Sequence, residues 1–241
     1  SRAFIKDTSD PTVAITSPAA SSYVIASNMA SFTVSGTCSE NGQNVVLSGA
    51  ASATVACAAG AWTTNLDLSA AGQGSLTIYA DHSDAATNAA TQDSRAFIKD
   101  TSDPTVAITS PAANSYVIAS NMASFTVSGT CSENGQNVVL SGAASATVAC
   151  AAGAWTTNFD LSALGQGTLT IYADHSDAAA NAATQASRAF IKDTLAPSVA
   201  ITSPAANAYI NSSNMASFTV SGTCSENGQN VVLSGAASAT V

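Results

Sequence analysis

Apolar and polar residues alternate along most of this chain. Phe32, Val34, Gly36 and Cys38 fall on one side of a run whose other side is Thr33, Ser35 and Thr37. Trp62, Leu66 and Leu68 share a face in a later run, and so do Leu76, Ile78 and Ala80. A period of two marks a strand with one buried face. Clusters of Gly, Asn, Ser and Pro separate the runs and supply the turns. The pattern predicts strands over Thr12–Thr16, Ser22–Ala26, Ser31–Cys38, Asn44–Ser48, Ala53–Cys57, Trp62–Leu68, Gly74–Asp81 and Ser94–Lys99. No segment sustains a helical period, and the alanine-rich stretch Asp84–Ala90 is too short and uncapped for a helix. The expected fold class is an all-β sandwich.

The same pattern returns. The string SRAFIKDT occurs at Ser1, Ser94 and Ser187, a step of 93 residues each time. The first two periods differ at six positions: Ser21/Asn114, Leu66/Phe159, Ala71/Leu164, Ser75/Thr168, Thr87/Ala180 and Asp93/Ala186. A 93-residue unit is too long for a solenoid repeat and suits a domain that folds by itself. The expected organisation is beads on a string. Residues 1–7 would be the last strand of a preceding domain, 8–100 and 101–193 complete domains, and 194–241 the N-terminal part of a third. On this expectation the sequence is a window onto a longer tandem array.

Composition narrows the classes of function. Apolar residues are 46% of the chain but 51 of the 241 are alanine, and only 6% are aromatic. Charged residues are 9%, with 6 basic against 15 acidic and a net charge of −9. An acidic chain lacks the basic footprint that nucleic acid or anionic lipid requires. The longest apolar stretch, Val55–Trp62, is far short of the roughly 18 residues of a membrane helix.

The five cysteines follow the period, at Cys38 and Cys57, at Cys131 and Cys150, and at Cys224. The partner of Cys224 is expected beyond the last residue. The strand ending at Cys38 and the hairpin arm ending at Cys57 reach the same pole, and both cysteines share parity with inward residues. Cys38–Cys57 and Cys131–Cys150 disulfides are therefore expected, with buried free thiols as the plain alternative and metal ligation as a weaker one. Disulfides place folding in an oxidising compartment.

The segments DTSDPTVAITSPA, FTVSGTCSENG, GAWTTNLDLSAAGQGSLTIYA and DAATN, in that order within each period, resemble the tandem bacterial Ig-like repeats of large surface adhesins and extracellular fibres. The cysteines depart from that family pattern, as does the loss of glycine from a DAAGN-like loop at Thr87 and Ala180. The resemblance implies tandem Ig-like sandwiches of seven or eight strands, and a stalk, spacer or fibre-forming segment of an exported, cell-surface or extracellular protein. A carbohydrate- or protein-binding module acting by multivalency is the alternative, with Tyr23, Tyr79 and Phe97 as its few aromatic candidates.

Connectivity returns the linker, the 38–44 loop and the 81–93 loop to one pole. Asp7, Asp10, Glu40, Asp81, Asp84 and Asn88 cluster there, and Asp100, Asp103, Glu133, Asp174, Asp177 and Asn181 repeat the set. Six to eight such oxygens suit calcium, and the resemblance adds junctional calcium as an expectation. The alternative is a solvated acidic rim of turn residues. At the third junction Leu195–Ala196 replaces Ser102–Asp103 and removes a carboxylate.

All six basic residues lie in the repeated SRAFIKD strand. Arg95, Phe97 and Lys99 share one strand face, read either as a solvent-facing edge or as a stripe that meets the acidic surface of another copy. Partners are accordingly expected to be copies of the chain itself, in filaments or bundles, together with a host or neighbouring-cell surface. The string Asp81-His82-Ser83-Asp84 holds triad residue types, but adjacent strand residues alternate faces and do not converge. His82 and His175 read as surface or loop residues, and no catalytic residue is expected.

Overall fold

The structure is a computed structural model and describes residues 2–241. The first domain comprises β1 (Val13–Ser17), β2 (Tyr23–Val24), β3 (Phe32–Cys38), β4 (Asn44–Gly49), β5 (Ala53–Ala56), β6 (Ala61–Leu66), β7 (Gly74–His82) and β8 (Asp93–Lys99). They form two facing sheets, one of order β1-β3-β6 and one of order β2-β8-β7-β4-β5. All pairings are antiparallel except β2 with β8, which is parallel. The chain thus enters in one sheet with β1, crosses over, and continues in the other as β2.

Alternation decides what lies between the sheets. Phe32, Val34 and Cys38 of β3 point inward with Trp62 and Leu66 of β6, against Val45, Leu47, Ile78 and Phe97 of the other sheet. Phe32 and Phe97 meet edge to face at 5.0 Å, a favourable aromatic geometry. A Cβ at Gly36 would lie 1.8 Å from the Ala14 carbonyl oxygen and 2.7 Å from the Trp62 ring, so only glycine admits this packing. The Trp62 indole N–H is not wasted in the core, since it donates to the Thr37 carbonyl at 3.2 Å.

Two predicted strands are shorter than expected. The strand expected over Ser22–Ala26 stops at Val24, because the Asn28 side chain accepts from the Ile25 N–H and donates to the Tyr23 carbonyl. That pair turns the chain into a single 3₁₀ turn at Met29–Ser31. The strand expected to reach Leu68 ends at Leu66, yet Leu68 stays buried and its N–H donates to Met29.

The second domain repeats the first with β9 (Val106–Ser110), β10 (Tyr116–Val117), β11 (Phe125–Cys131), β12 (Asn137–Gly142), β13 (Ala146–Ala149), β14 (Ala154–Phe159), β15 (Gly167–His175) and β16 (Ala186–Lys192). Its sheets have the same orders, and Phe159 and Leu164 fill the places of Leu66 and Ala71. Beyond it, β17 (Val199–Ser203) pairs with β18 (Ser221–Cys224), and β19 (Val232–Leu233) with β20 (Ala239–Thr240). No residue from 193 to 241 is buried. Residues 2–7, read as a last strand, form no strand here, and Phe4 and Ile5 are exposed.

Candidate functional site at the domain junctions

The expected disulfides are present in both complete domains, Cys38–Cys57 and Cys131–Cys150, each closing a separation of 19 residues. Each joins the end of the inner strand of one sheet to the edge arm of the other. The cysteines are buried, with an Asn41 or Asn134 side-chain oxygen 3.8 Å from Cys57 or Cys150. Cys224 is exposed and unbridged among the described residues.

The pole where a domain meets its predecessor is organised by side-chain amides. Asn88 donates from its backbone N–H and its amide to the two oxygens of Asp84, at 2.8 and 2.7 Å. The same amide reaches the Asp7 carbonyl at 3.4 Å. In the second domain Asn181 holds Asp177 identically and donates to the Asp100 carbonyl, across the junction, at 3.0 Å. The departing end of the first domain is held as well, because Gln73 and Thr101 exchange two hydrogen bonds. Linker backbone is therefore tied to the domain on each side of it.

The candidate calcium ligands do not gather into one shell. Asp81 and Asp174 each accept both amide hydrogen bonds of Gln92 and Gln185, at 2.9 and 3.0 Å. Asp84 and Asp177 are engaged by the asparagines. Asp7 and Asp100 turn their carboxylates onto the N–H groups of Ser9 and Ser102. Asp10 and Asp103 are exposed, and Glu40 and Glu133 stand beside the histidines. Among the described residues no group of three or more His, Cys, Asp or Glu side chains is placed to share a metal ion.

Hydrogen bonding from the Asn88 amide, joined by backbone N–H groups, holds the Asp84 carboxyl below its ordinary range although burial works the other way. The Ser69 and Ser162 hydroxyl and N–H groups do the same for Asp67 and Asp160. A carboxylate depressed on folding contributes stability above its unfolded value, near 3.9, and loses it as pH falls through the lower folded value. Wild type is therefore expected to exceed Asp84→Asn in urea midpoint above about pH 4, with the difference shrinking in stronger acid. A difference independent of pH would contradict this account.

The face shared by Arg95, Phe97 and Lys99, expected to be exposed, is buried at Phe97 and Lys99 and half-buried at Arg95. Phe97 is fully buried and Lys99 is 4% exposed. The Lys99 ammonium donates to the carbonyls of Leu68, Ser69 and Ala71 at 2.7–2.8 Å. Arg95 donates to the carbonyls of Thr16 and Pro18. Phe97 and Lys99 therefore face their own domain and are not open to another copy or a ligand, whereas Arg95 is half-buried and bonds to its own domain through Nη1.

The histidines are buried too, contrary to a surface reading. His82 is 2% exposed; its Nδ1 lies 2.9 Å from the Asn44 carbonyl and its Nε2 accepts the Glu40 N–H at 3.2 Å. With both ring nitrogens committed to backbone, His82 pins the 38–44 loop and has no nitrogen left for base chemistry. His175 does the same with Asn137 and Glu133.

The chain is similar to parts of several solved structures. The chain is similar to the structure of a 1.5-MDa bacterial ice-binding adhesin, with 22% identity and a TM-score of 0.45 over 78% of this chain and 67% of that one. It is similar to Clostridium thermocellum CbhA fibronectin(III)-like modules at 15% identity and a TM-score of 0.45, covering 76% and 95%. A tetra-tandem repeat from the extending region of a large adhesion protein matches at 21% identity and a TM-score of 0.38, covering 80% of this chain and 51% of that one. No curated protein matches. Residues 153–241 match the family described as bacterial Ig-like domain (group 3). Residues 60–148 repeat that stretch with few changes one period earlier, and so the repeated unit of this chain is similar to the bacterial Ig-like domain.

Proposed function

We propose that the chain is a semi-rigid spacer segment of an exported bacterial surface adhesin or extracellular fibre. The observation that carries this reading is the junction at Asp100–Pro104. It is short, it contains the buried Pro104, and it is hydrogen-bonded to the domain before it through Gln73 and to the domain after it through Asn181. Within each domain β1 enters at one pole and β8 leaves at the other, so added copies lengthen the array. Disulfides in both complete domains suit an oxidising, extracellular setting.

Small-angle X-ray scattering on the chain tests the reading. Each period is expected to add roughly 40 Å, from strands near 30 Å long at about 3.3 Å per residue plus a linker. Asn181→Ala is expected to broaden the distance distribution at the junction while leaving the circular dichroism of the domains unchanged. A compact particle in the wild type would overturn the proposal.

A further inference from the structure

We infer that each complete domain associates sideways with a second copy of the chain, the edge strand β5 of one pairing antiparallel with β5 of the other about a two-fold axis at Val55. The contact lies on the flank of a domain, away from the poles that the spacer reading concerns.

The two flanks of the sandwich are not alike. On one, β1 and β8 face each other from different sheets, and β8 side chains cover the gap. The Asp93 carboxylate accepts the Ile15 N–H at 2.6 Å, and Arg95 donates to the carbonyls of Thr16 and Pro18. In the second domain Arg188 donates to the carbonyls of Ile108 and Pro111 in the same place. On the other flank, β5 is the last strand of the five-stranded sheet and β6 the last of the three-stranded one. A tight turn joins them, with the Ala58 and Ala61 N–H groups each donating to the other's carbonyl. The strands then part into different sheets. A groove of about 750 Å³ opens beside them, lined by Val55 and Ala56 together with Thr37, Ala61, Trp62 and Thr63. The second domain has the same groove, of about 640 Å³, at Val148, Ala149, Trp155 and Thr156.

The hydrogen-bond pattern leaves the β5 edge unpaired. The Cys57 N–H donates to the Gln43 carbonyl, and Val55 lies opposite Val45 in the same register. Backbone groups alternate sides along an antiparallel strand. Val55 and Cys57 therefore bond toward β4, while Thr54 and Ala56 turn their N–H and C=O groups to the side where no strand follows among the described residues. Folds commonly protect such an edge with a lysine or a proline. Neither is present here: no residue from Asn41 to Leu66 is charged or a proline, and none from Asn134 to Phe159.

These features select a second copy as the occupant. With Val55 on the axis, Thr54 of one copy lies opposite Ala56 of the other, and each such pair exchanges both of its N–H···O bonds. One patch serves both partners, as an isologous contact requires. The Val55 side chains meet at the axis, each directed at the groove of the other copy. A chain of net charge −9 repels its own copies, and this flank brings no charge to the contact. A strand of 4 residues makes few bonds, so one contact is weak. The strand recurs at a step of 93 residues, and weak contacts add along two arrays.

Amide hydrogen exchange on the full chain at rising protein concentration, read beside sedimentation velocity, tests the contact. The Thr54, Ala56, Thr147 and Ala149 amides are expected to slow with association, about tenfold once some nine-tenths of the chain is associated. The Val55 and Val148 amides, already bonded within their own sheets, are expected to stay protected at every concentration. Ala56→Lys with Ala149→Lys is expected to abolish both the slowing and the association. The urea midpoints should not move, because both side chains are exposed. Thr54→Pro with Thr147→Pro removes donors that point outward, which an edge strand tolerates, and is expected to weaken association about tenfold or more. A chain that sediments as a monomer wherever it stays soluble would overturn the inference. So would rates at those amides that ignore concentration, or association that neither pair of substitutions weakens. The length added per repeat in scattering does not depend on this contact, so its failure leaves the spacer reading standing.

Discussion

Replacing Lys99 with methionine is expected to destabilise the first domain by about 3 kcal/mol. Methionine nearly matches the lysine stem in volume, so the substitution removes the ammonium and leaves the packing. The carbonyls of Leu68, Ser69 and Ala71 would lose a shared donor that now lies 2.7–2.8 Å away. Replacing a whole buried polar pair by apolar groups can be neutral, but here three acceptors stay behind, and each stranded group costs about 1–3 kcal/mol before water reaches it. Urea denaturation of the full chain would show the first-domain transition moving alone. Lys192→Met should move the second transition in the same way, because its ammonium donates to Leu161, Ser162 and Leu164. A change under about 0.5 kcal/mol in either domain would mean that solvent serves those carbonyls equally well.

Removing the disulfide is expected to cost about as much through the unfolded chain. Closing a 19-residue separation restricts the denatured ensemble by roughly 3 kcal/mol. That is a large share of the 5–15 kcal/mol typical of a domain, in a core built from few large side chains. Cys38→Ala with Cys57→Ala, and the matching pair at Cys131 and Cys150, should lower both urea midpoints by similar amounts because the loops are the same length. Reduction of the wild type should reproduce the shift, and reductant should leave the alanine variants unaffected. An unshifted midpoint would show that the denatured state keeps those residues together without the bond.

The sandwich, its strands and the cysteine pairs could be read from alternation and period, because burial on one face of a strand leaves its mark on every second residue. The burial of Phe97 and Lys99, and the half-burial of Arg95, could not. Spacing says that they share a face but not which face, and charge at both ends of the run points the reading outward. Their placement is decided by carbonyl groups 28–31 and 77–79 residues away in sequence. His82 was hidden for the same reason, since its partner at Glu40 is 42 residues distant. The pole at which the acidic residues collect was legible from connectivity. That amide donors from Asn88, Asn181, Gln92 and Gln185 would engage the carboxylates was not, although each lies within 11 residues of its partner. The missing glycine of the DAAGN-like loop was visible as a departure, and the structure supplies its meaning. Thr87 and Ala180 sit at φ of 70° and 68°, a left-handed conformation that glycine adopts without strain.

The binding of every β8 and β16 cation to carbonyl groups also bears on survival outside a cell. Between Asp7 and Val241 the only lysines and arginines are Arg95, Lys99, Arg188 and Lys192. All four sit within strands paired on both sides, and the two lysines are buried. A trypsin-like protease cuts after such residues and needs about ten residues of extended, accessible chain around them. It finds many exposed turns on these two domains but no cleavable bond in any of them. Digestion must therefore wait for a domain to unfold, and its rate follows the unfolding equilibrium rather than the mobility of the loops.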